Sequence, residues 1–130
     1  EFDYLSNSLT TTFPPGMEVS VYHAATLLDV NQRVSDSDPL REHCGFNITR
    51  FSDTYNLFSF EAPPWFNFIN YYFEVDTFED FEFIKIVAEH FRDNQMAYFS
   101  LADMIQFIRA NPQLADLNSH VERRWSQYRN

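Results

Sequence analysis

The sequence predicts a mixed α/β or α+β chain, strand-rich in its first half and helical in its second. Three observations predict it. Met17–Tyr22 alternates with a period of two, and Asn67–Val75 is nearly apolar throughout, as a strand covered on both faces would be. Beyond Thr77 the apolar residues recur at helical spacing. No internal repeat divides the chain.

Residues 1–16 read as an extended lead-in and a loop, punctuated by Thr10–Thr12, Pro14, Pro15 and Gly16. The strand Met17–Tyr22 places Val19 and Val21 on one face. His23 to about Arg33 reads as a helix that buries Ala24, Leu27 and Leu28, with Val30 as a further candidate. After a loop at Ser35–Asp38, Asp38 caps a short helix that has Pro39 at its first position. Tyr55–Phe60 is a strand stopped by Pro63-Pro64, and Phe68, Ile69, Tyr71, Tyr72, Phe73 and Val75 carry the next. Thr77 then caps a helix, with Asp80 three residues on as an aspartate version of the capping box and Phe81, Ile84, Ala88 and Phe91 as its stripe. Ser100 and Asp103 repeat that pattern ahead of Leu101, Met104, Ile105 and Ile108. Asn111-Pro112 closes the second helix and opens a third, which carries Leu114, Leu117, Val121, Trp125 and Tyr128.

The 130 residues fit one domain, with 1–75 strand-rich and 76–130 a helical tail. Apolar residues make up 45%, and 15 Phe, 7 Tyr and 2 Trp supply large areas for burial, so a compact body is attainable. Only Gly16 and Gly45 are glycines, so the chain has no glycine-rich turn of its own to cradle a phosphate. A formal net charge of −10 disfavours nucleic acid and anionic membranes as partners. The single cysteine, Cys44, excludes an internal disulfide and a multi-cysteine zinc site, which suits a reducing, cytoplasmic setting. Asn47-Ile48-Thr49 matches a glycosylation sequon, a tripeptide common by chance. No apolar run approaches the ~20 residues of a membrane span. Glu1-Phe2-Asp3 opens acidic, unlike a signal peptide, and reads as the middle of a protein.

Two clusters could carry chemistry. Asp76 follows the expected 67–75 strand and precedes a helix cap, the place where ligands gather in open α/β sheets. Glu74, two residues earlier, points to the same side, and the two oxygens could hold Mg²⁺. The alternative is that Asp76, Glu79 and Asp80 only favour the positive end of the helix. Arg41-Glu42-His43 could bind an anionic or hydroxylated substrate, or form an exposed salt bridge of little consequence. No spacing of His23, His43, His90 and His120 suits zinc, and Cys44 beside His43 lacks the geometry expected of an activated nucleophile. No catalytic residue is assigned.

Several segments, in order and over nearly the whole chain, resemble a known family. Asp3-Tyr4-Leu5-Ser6-Asn7 with Pro15-Gly16-Met17-Glu18-Val19 resembles D-Y-V-S-N … P-x-G-L-D-V-E-V, and Pro39-Leu40-Arg41-Glu42-His43 resembles P-x-x-R-E-H. Glu61-Ala62-Pro63-Pro64 follows, and Val75-Asp76-Thr77-Phe78-Glu79-Asp80-Phe81-Glu82-Phe83-Ile84 resembles V-D-T-P-E-D-F-E-L-I. Tyr98-Phe99-Ser100, Asn111-Pro112-Gln113-Leu114 and Leu117-Asn118-Ser119-His120-Val121 resemble its helical tail. The family is the spore coat polysaccharide biosynthesis protein F type of cytidylyltransferase, related to the enzymes that make CMP-Kdo and CMP-sialic acid.

The resemblance implies the C-terminal half of a Rossmann-like nucleotidyltransferase, few strands followed by three helices. It implies transfer of CMP from CTP to a sugar or sugar acid for surface polysaccharide synthesis, with Mg²⁺ offsetting charge at the phosphate. Asp76 then inherits a metal role, with Glu74 at the first position of the relatives' D-x-D pair, while Asn7, Arg41, Glu42 and His43 fall where sugar contacts are expected. CTP would be held by the N-terminal half of the family's fold, and the Met17–Val34 segment resembles one that mediates a homodimer contact. Phe78 departs from the family's proline, Cys44-Gly45-Phe46 from V-T-P, and Tyr72 from a frequent arginine. Those departures admit the alternative of a non-catalytic assembly or ligand-binding module derived from the fold.

Overall fold

The computed structural model describes residues 1–66 and 70–128. The chain forms two compact units: one comprises Glu1–Phe13, Glu18–Asn67 and Trp125–Asn130, the other Pro14–Met17 and Phe68–Arg124.

The first unit is built on a three-stranded sheet in the order β2-β1-β3, with β1 at Tyr4–Ser6, β2 at Ser20–Tyr22 and β3 at Leu57–Ser59. β1 pairs antiparallel to β2, with Leu5 opposite Val21, and parallel to β3, with Leu5 opposite Phe58. Between β2 and β3 run α1 (Ala24–Arg33), a 3₁₀ turn (Pro39–Glu42) and α2 (Cys44–Thr49). The core joins Tyr4 of β1 to Val30 of α1, Val34, Ile48 of α2 and Tyr55, with Leu9, Phe51 and Leu57 against it. Val19 and Val21 share a face, as their alternation requires, but that face is exposed. The stripe of α1 differs in part from the expected one: Val30 is buried as expected, together with Thr26 and Val34, while Ala24 is exposed, Leu27 is half-buried and Leu28 stays 64% exposed. Positions 26, 30 and 34 are separated by four residues, so they line one helical face as well as the expected set does.

The second unit is helical. α3 (Phe78–Asp93) starts at Thr77, whose hydroxyl accepts from the Asp80 N–H while the Asp80 carboxylate accepts from the Thr77 N–H. α4 (Leu101–Ala110) starts with the same reciprocal pair, Ser100 and Asp103. Both capping boxes stand where the sequence places them. The inward face of α3, however, is Asp80, Phe83, Val87 and Phe91, and Phe81 is 49% exposed. Both sets satisfy helical spacing; the burial of Asp80 shows which one turns inward. Met104, Ile105 and Ile108 of α4 are buried with Leu114, and the Phe91 ring stacks on Phe99 at 4.0 Å.

Two further expectations are corrected. The third helix is not one continuous α-helix: 3₁₀ turns form at Pro112–Leu117 and Arg124–Tyr128, and the Asn111 side chain donates back to Phe107 O instead of capping forward. The strand expected over 67–75 begins at residues outside those described, and 70–75 carries no ladder. Its backbone groups are taken singly: the Phe73 N–H donates to Pro15 O at 2.7 Å, and Tyr72 O accepts from Asn118 Nδ2 at 3.0 Å. The Phe73 ring meets Phe83 edge-on at 5.3 Å, so its apolar character serves α3 and not a sheet. Gly16 makes that approach possible. Its φ is +94°, and a Cβ there would collide with the backbone of Phe73 and Glu74.

Candidate functional site

Glu74 and Asp76 lie on the segment that leads into α3, and what fixes this segment is a buried ionic cluster. Asp80 is fully buried at 0% exposure, on the first turn of α3. A carboxylate is tolerated there only when paired and hydrogen-bonded. Arg123 supplies both: its Nη1 donates to Asp80 Oδ2 at 2.8 Å and its Nη2 to Asp80 Oδ1 at 2.7 Å, a two-pronged pair. Asn118 Nδ2 adds a third bond, to Asp80 Oδ1 at 2.9 Å. The remaining acceptor capacity of Oδ2 takes the N–H groups of Asp76 and Thr77, each at 3.1 Å.

Burial alone would push the Asp80 carboxyl up; the Arg123 guanidinium and the Asn118 amide overcome it and hold the group well below the usual carboxylate range. Arg123 shows the reverse balance. Burial would lower its pKa, and the Asp80 bond outweighs that and raises it. Arg123 also donates to Asn118 O at 3.1 Å, lies 4.5 Å from the centre of the Tyr72 ring, and sits 3.3 Å from Glu74 Oε1. One side chain thereby holds Tyr72, Glu74 and Asp80, which flank Asp76 on both sides.

The expected metal pair is therefore split. Asp76 is exposed, whereas Glu74 is turned to Arg123 in an ion pair whose glutamate side chain is only 16% exposed. Among the described residues no three of His, Cys, Asp and Glu are grouped to hold a metal ion. The donor set that remains, one exposed carboxylate, is one that Mg²⁺ accepts when water and phosphate oxygens complete its shell.

The expected sugar-contact residues lie in the first unit. Arg41 is in the 3₁₀ turn, where its Nη1 donates to Val34 O at 3.1 Å, just past the end of α1, and its Nη2 to Asn31 Oδ1. It thus satisfies the Val34 carbonyl at the C-cap of α1 and the side-chain amide oxygen of Asn31. Glu42 is exposed beside it. His43 precedes α2 and presents its ring edge-on to Phe46 at 5.4 Å. Asn7 is elsewhere, at the end of β1, 8% exposed, and its Oδ1 accepts from the Val19 N–H at 2.7 Å, extending the β1–β2 pairing past the strand. Asn47 of the sequon is 4% exposed and donates from Nδ2 to Leu40 O at 2.7 Å, so its amide nitrogen is committed inside the fold.

Sequence reasoning found Asp80 as a cap and missed it as the centre of the cluster; it named Asn118 only within a resembling segment, without a role, and missed Arg123. Asp80 and Arg123 are 43 residues apart, beyond any local periodicity. One signal was available. Asp80 falls in register with Phe83, Val87 and Phe91, and a carboxylate on a buried stripe calls for a cationic partner.

No protein-family model and no curated protein matches the chain. The fold is matched by the solved structure of a cytidylyltransferase from Leptospira borgpetersenii serovar Hardjo-bovis (strain JB197), with a TM-score of 0.74 and 22% identity over 93% of this chain and 48% of that one. The chain thus spans about half the length of that structure, and its mixed α/β fold is that of part of a cytidylyltransferase.

Proposed function

We propose that this chain is the sugar-side, C-terminal half of a cytidylyltransferase of the spore coat polysaccharide F type, transferring CMP from CTP to a sugar or sugar acid for surface polysaccharide synthesis. The observation that carries the reading is the fold likeness over nearly the whole chain, joined to the collinear segments around Asn7, Arg41-Glu42-His43 and Asp76-Thr77. Asp76 is the proposed Mg²⁺ ligand, and Glu74 adds a second oxygen only by leaving Arg123. Bound there, the ion supplies charge neutralisation at the transferred phosphate. Arg41, Glu42, His43 and Asn7 are the proposed sugar contacts, with the Asn7 Oδ1 also accepting from the Val19 N–H at the end of β1. CTP is held by the remainder of the fold, in a cytoplasmic homodimer.

A second reading, a non-catalytic module of the same fold, is favoured by how far Glu74 and Arg41 are already engaged by Arg123, Val34 and Asn31. Pyrophosphate release by the full-length gene product, with CTP, Mg²⁺ and a panel of sugar acids, separates the two. The enzyme reading expects turnover, and an Asp76→Ala variant slower by about a hundredfold or more. An unchanged rate in that variant removes Asp76 from the mechanism. A full-length product that neither turns over nor binds CTP in calorimetry leaves the module.

A further inference from the structure

We infer that Arg123 is a positioning residue for Asp76, acting through the two residues that bracket it. The inference rests on the reading of Asp76 as a metal ligand. A ligating carboxylate on an irregular segment binds only as well as its backbone is held, and the segment 70–76 has no sheet to hold it. The Phe73 N–H bond to Pro15 O anchors its middle, and around Asp76 itself what holds it is Arg123. On one side the guanidinium pairs with Glu74 at 3.3 Å and covers the Tyr72 ring at 4.5 Å. On the other side it fixes Asp80, whose Oδ2 receives the N–H of Asp76 itself at 3.1 Å. The same oxygen therefore ties Arg123 and the Asp76 backbone together. Asn118 closes the frame by donating to Tyr72 O and to Asp80 Oδ1.

The arrangement also sorts charge. Arg123 engages the Glu74 and Asp80 carboxylates and leaves Asp76 exposed between them, ahead of the cap, with Glu79 also exposed on the first turn of α3. A lysine at 123 would keep the charge but lose the planar fork, so it could not grip both partners. That substitution therefore separates positioning from simple neutralisation.

The test is Mn²⁺ titration of the ¹⁵N-labelled full chain, reading paramagnetic broadening of the Asp76 and Thr77 amides, with circular dichroism and thermal unfolding to certify the fold. Wild type is expected to show selective broadening at these amides, and Asp76→Asn is expected to abolish it. Arg123→Lys, folded, is expected to need about tenfold more Mn²⁺ for half-broadening, the usual cost of losing a residue that orients a ligand. Half-broadening of Arg123→Lys at the wild-type concentration, with Asp76→Asn inert, overturns the positioning role and leaves the metal reading standing. Broadening in Asp76→Asn equal to wild type overturns the metal reading itself. If Arg123→Lys does not fold, Asn118→Ser carries the test: it removes one donor to Asp80 and the tie to Tyr72, and a folded Asn118→Ser that binds Mn²⁺ like wild type overturns the frame.

Discussion

Replacing Arg123 by methionine isolates what the buried pair contributes. Methionine keeps an apolar stem of similar length but leaves Asp80, at 0% exposure, without its guanidinium. Two charge-assisted bonds of 2.8 and 2.7 Å are lost, each typically worth about 1.5–3 kcal/mol. The Asn118 amide and the N–H groups of Asp76 and Thr77 remain on the carboxylate, so the loss falls short of that sum at its upper end. Breaking one side of a buried pair costs about 3–5 kcal/mol in general, and about 4 kcal/mol is expected here. The Glu74 contact adds less, because an ion pair near the surface contributes at most about 1 kcal/mol. Urea unfolding followed by circular dichroism reads the loss directly. A thermal midpoint lowered by at least roughly 10 °C should accompany it in a chain of this length. A folded Arg123→Met variant within about 1 kcal/mol of wild type would show that the pair does not hold α3 to the tail.

Acid should weaken the same cluster. The Asp80 pKa is depressed in the folded chain, so its contribution is complete above the ordinary aspartate value of about 3.9 and is lost as pH falls below it. Urea midpoints measured from about pH 5 to about pH 2 should fall more steeply for wild type than for Asp80→Asn, and parallel slopes would refute the assignment. Gly16→Ala should destabilise by about 2 kcal/mol or more, since a Cβ at φ +94° is strained and also meets the Phe73–Glu74 backbone. A Gly16→Ala chain as stable as wild type by urea unfolding would mean that the Pro15–Phe73 bond does not anchor the segment leading to Asp76.

Local chemistry was the legible part of this molecule. Thr77 with Asp80, Ser100 with Asp103, and Asp38 ahead of Pro39 each place a side-chain acceptor beside N–H groups two or three residues away, and each bond is formed. α3 and α4 are legible for the same reason, whereas α2 was not expected and the helix expected beyond Asn111 does not form as one piece. Inward faces were less legible, because apolar residues are so dense that neighbouring stripes compete, as Phe81–Ile84 and Phe83–Val87 do on α3. The 67–75 segment misled for a related reason: alternation and aromatic content describe a side-chain environment, and Phe73 finds that environment on α3 with no partner strand among the described residues. Short-range spacing likewise carries no information on a pair 43 residues apart, so Arg123 emerges only from the folded chain.

That pair changes what the acidic segment can do. Read along the sequence, Glu74, Asp76, Glu79 and Asp80 form a block of negative charge at a helix start. In the fold they have different fates. Asp80 is spent on Arg123, Asn118 and the cap, Glu74 is paired with Arg123, Glu79 is exposed but held below its ordinary range by its own backbone and Thr77, and Asp76 stands exposed ahead of the cap. On the proposed reading, a site with one such carboxylate binds a bare divalent ion weakly, because most of the ion's oxygen shell must come from elsewhere. Phosphate oxygens fill that shell and bring charge of the sign the cation needs. The arrangement around Asp76 therefore favours an ion arriving with its nucleotide over an ion held permanently. It predicts that half-broadening of the Asp76 amide by Mn²⁺ in the full-length product shifts to lower ion concentration when CTP is added. An unchanged midpoint would separate the metal from the nucleotide and defeat that part of the reading.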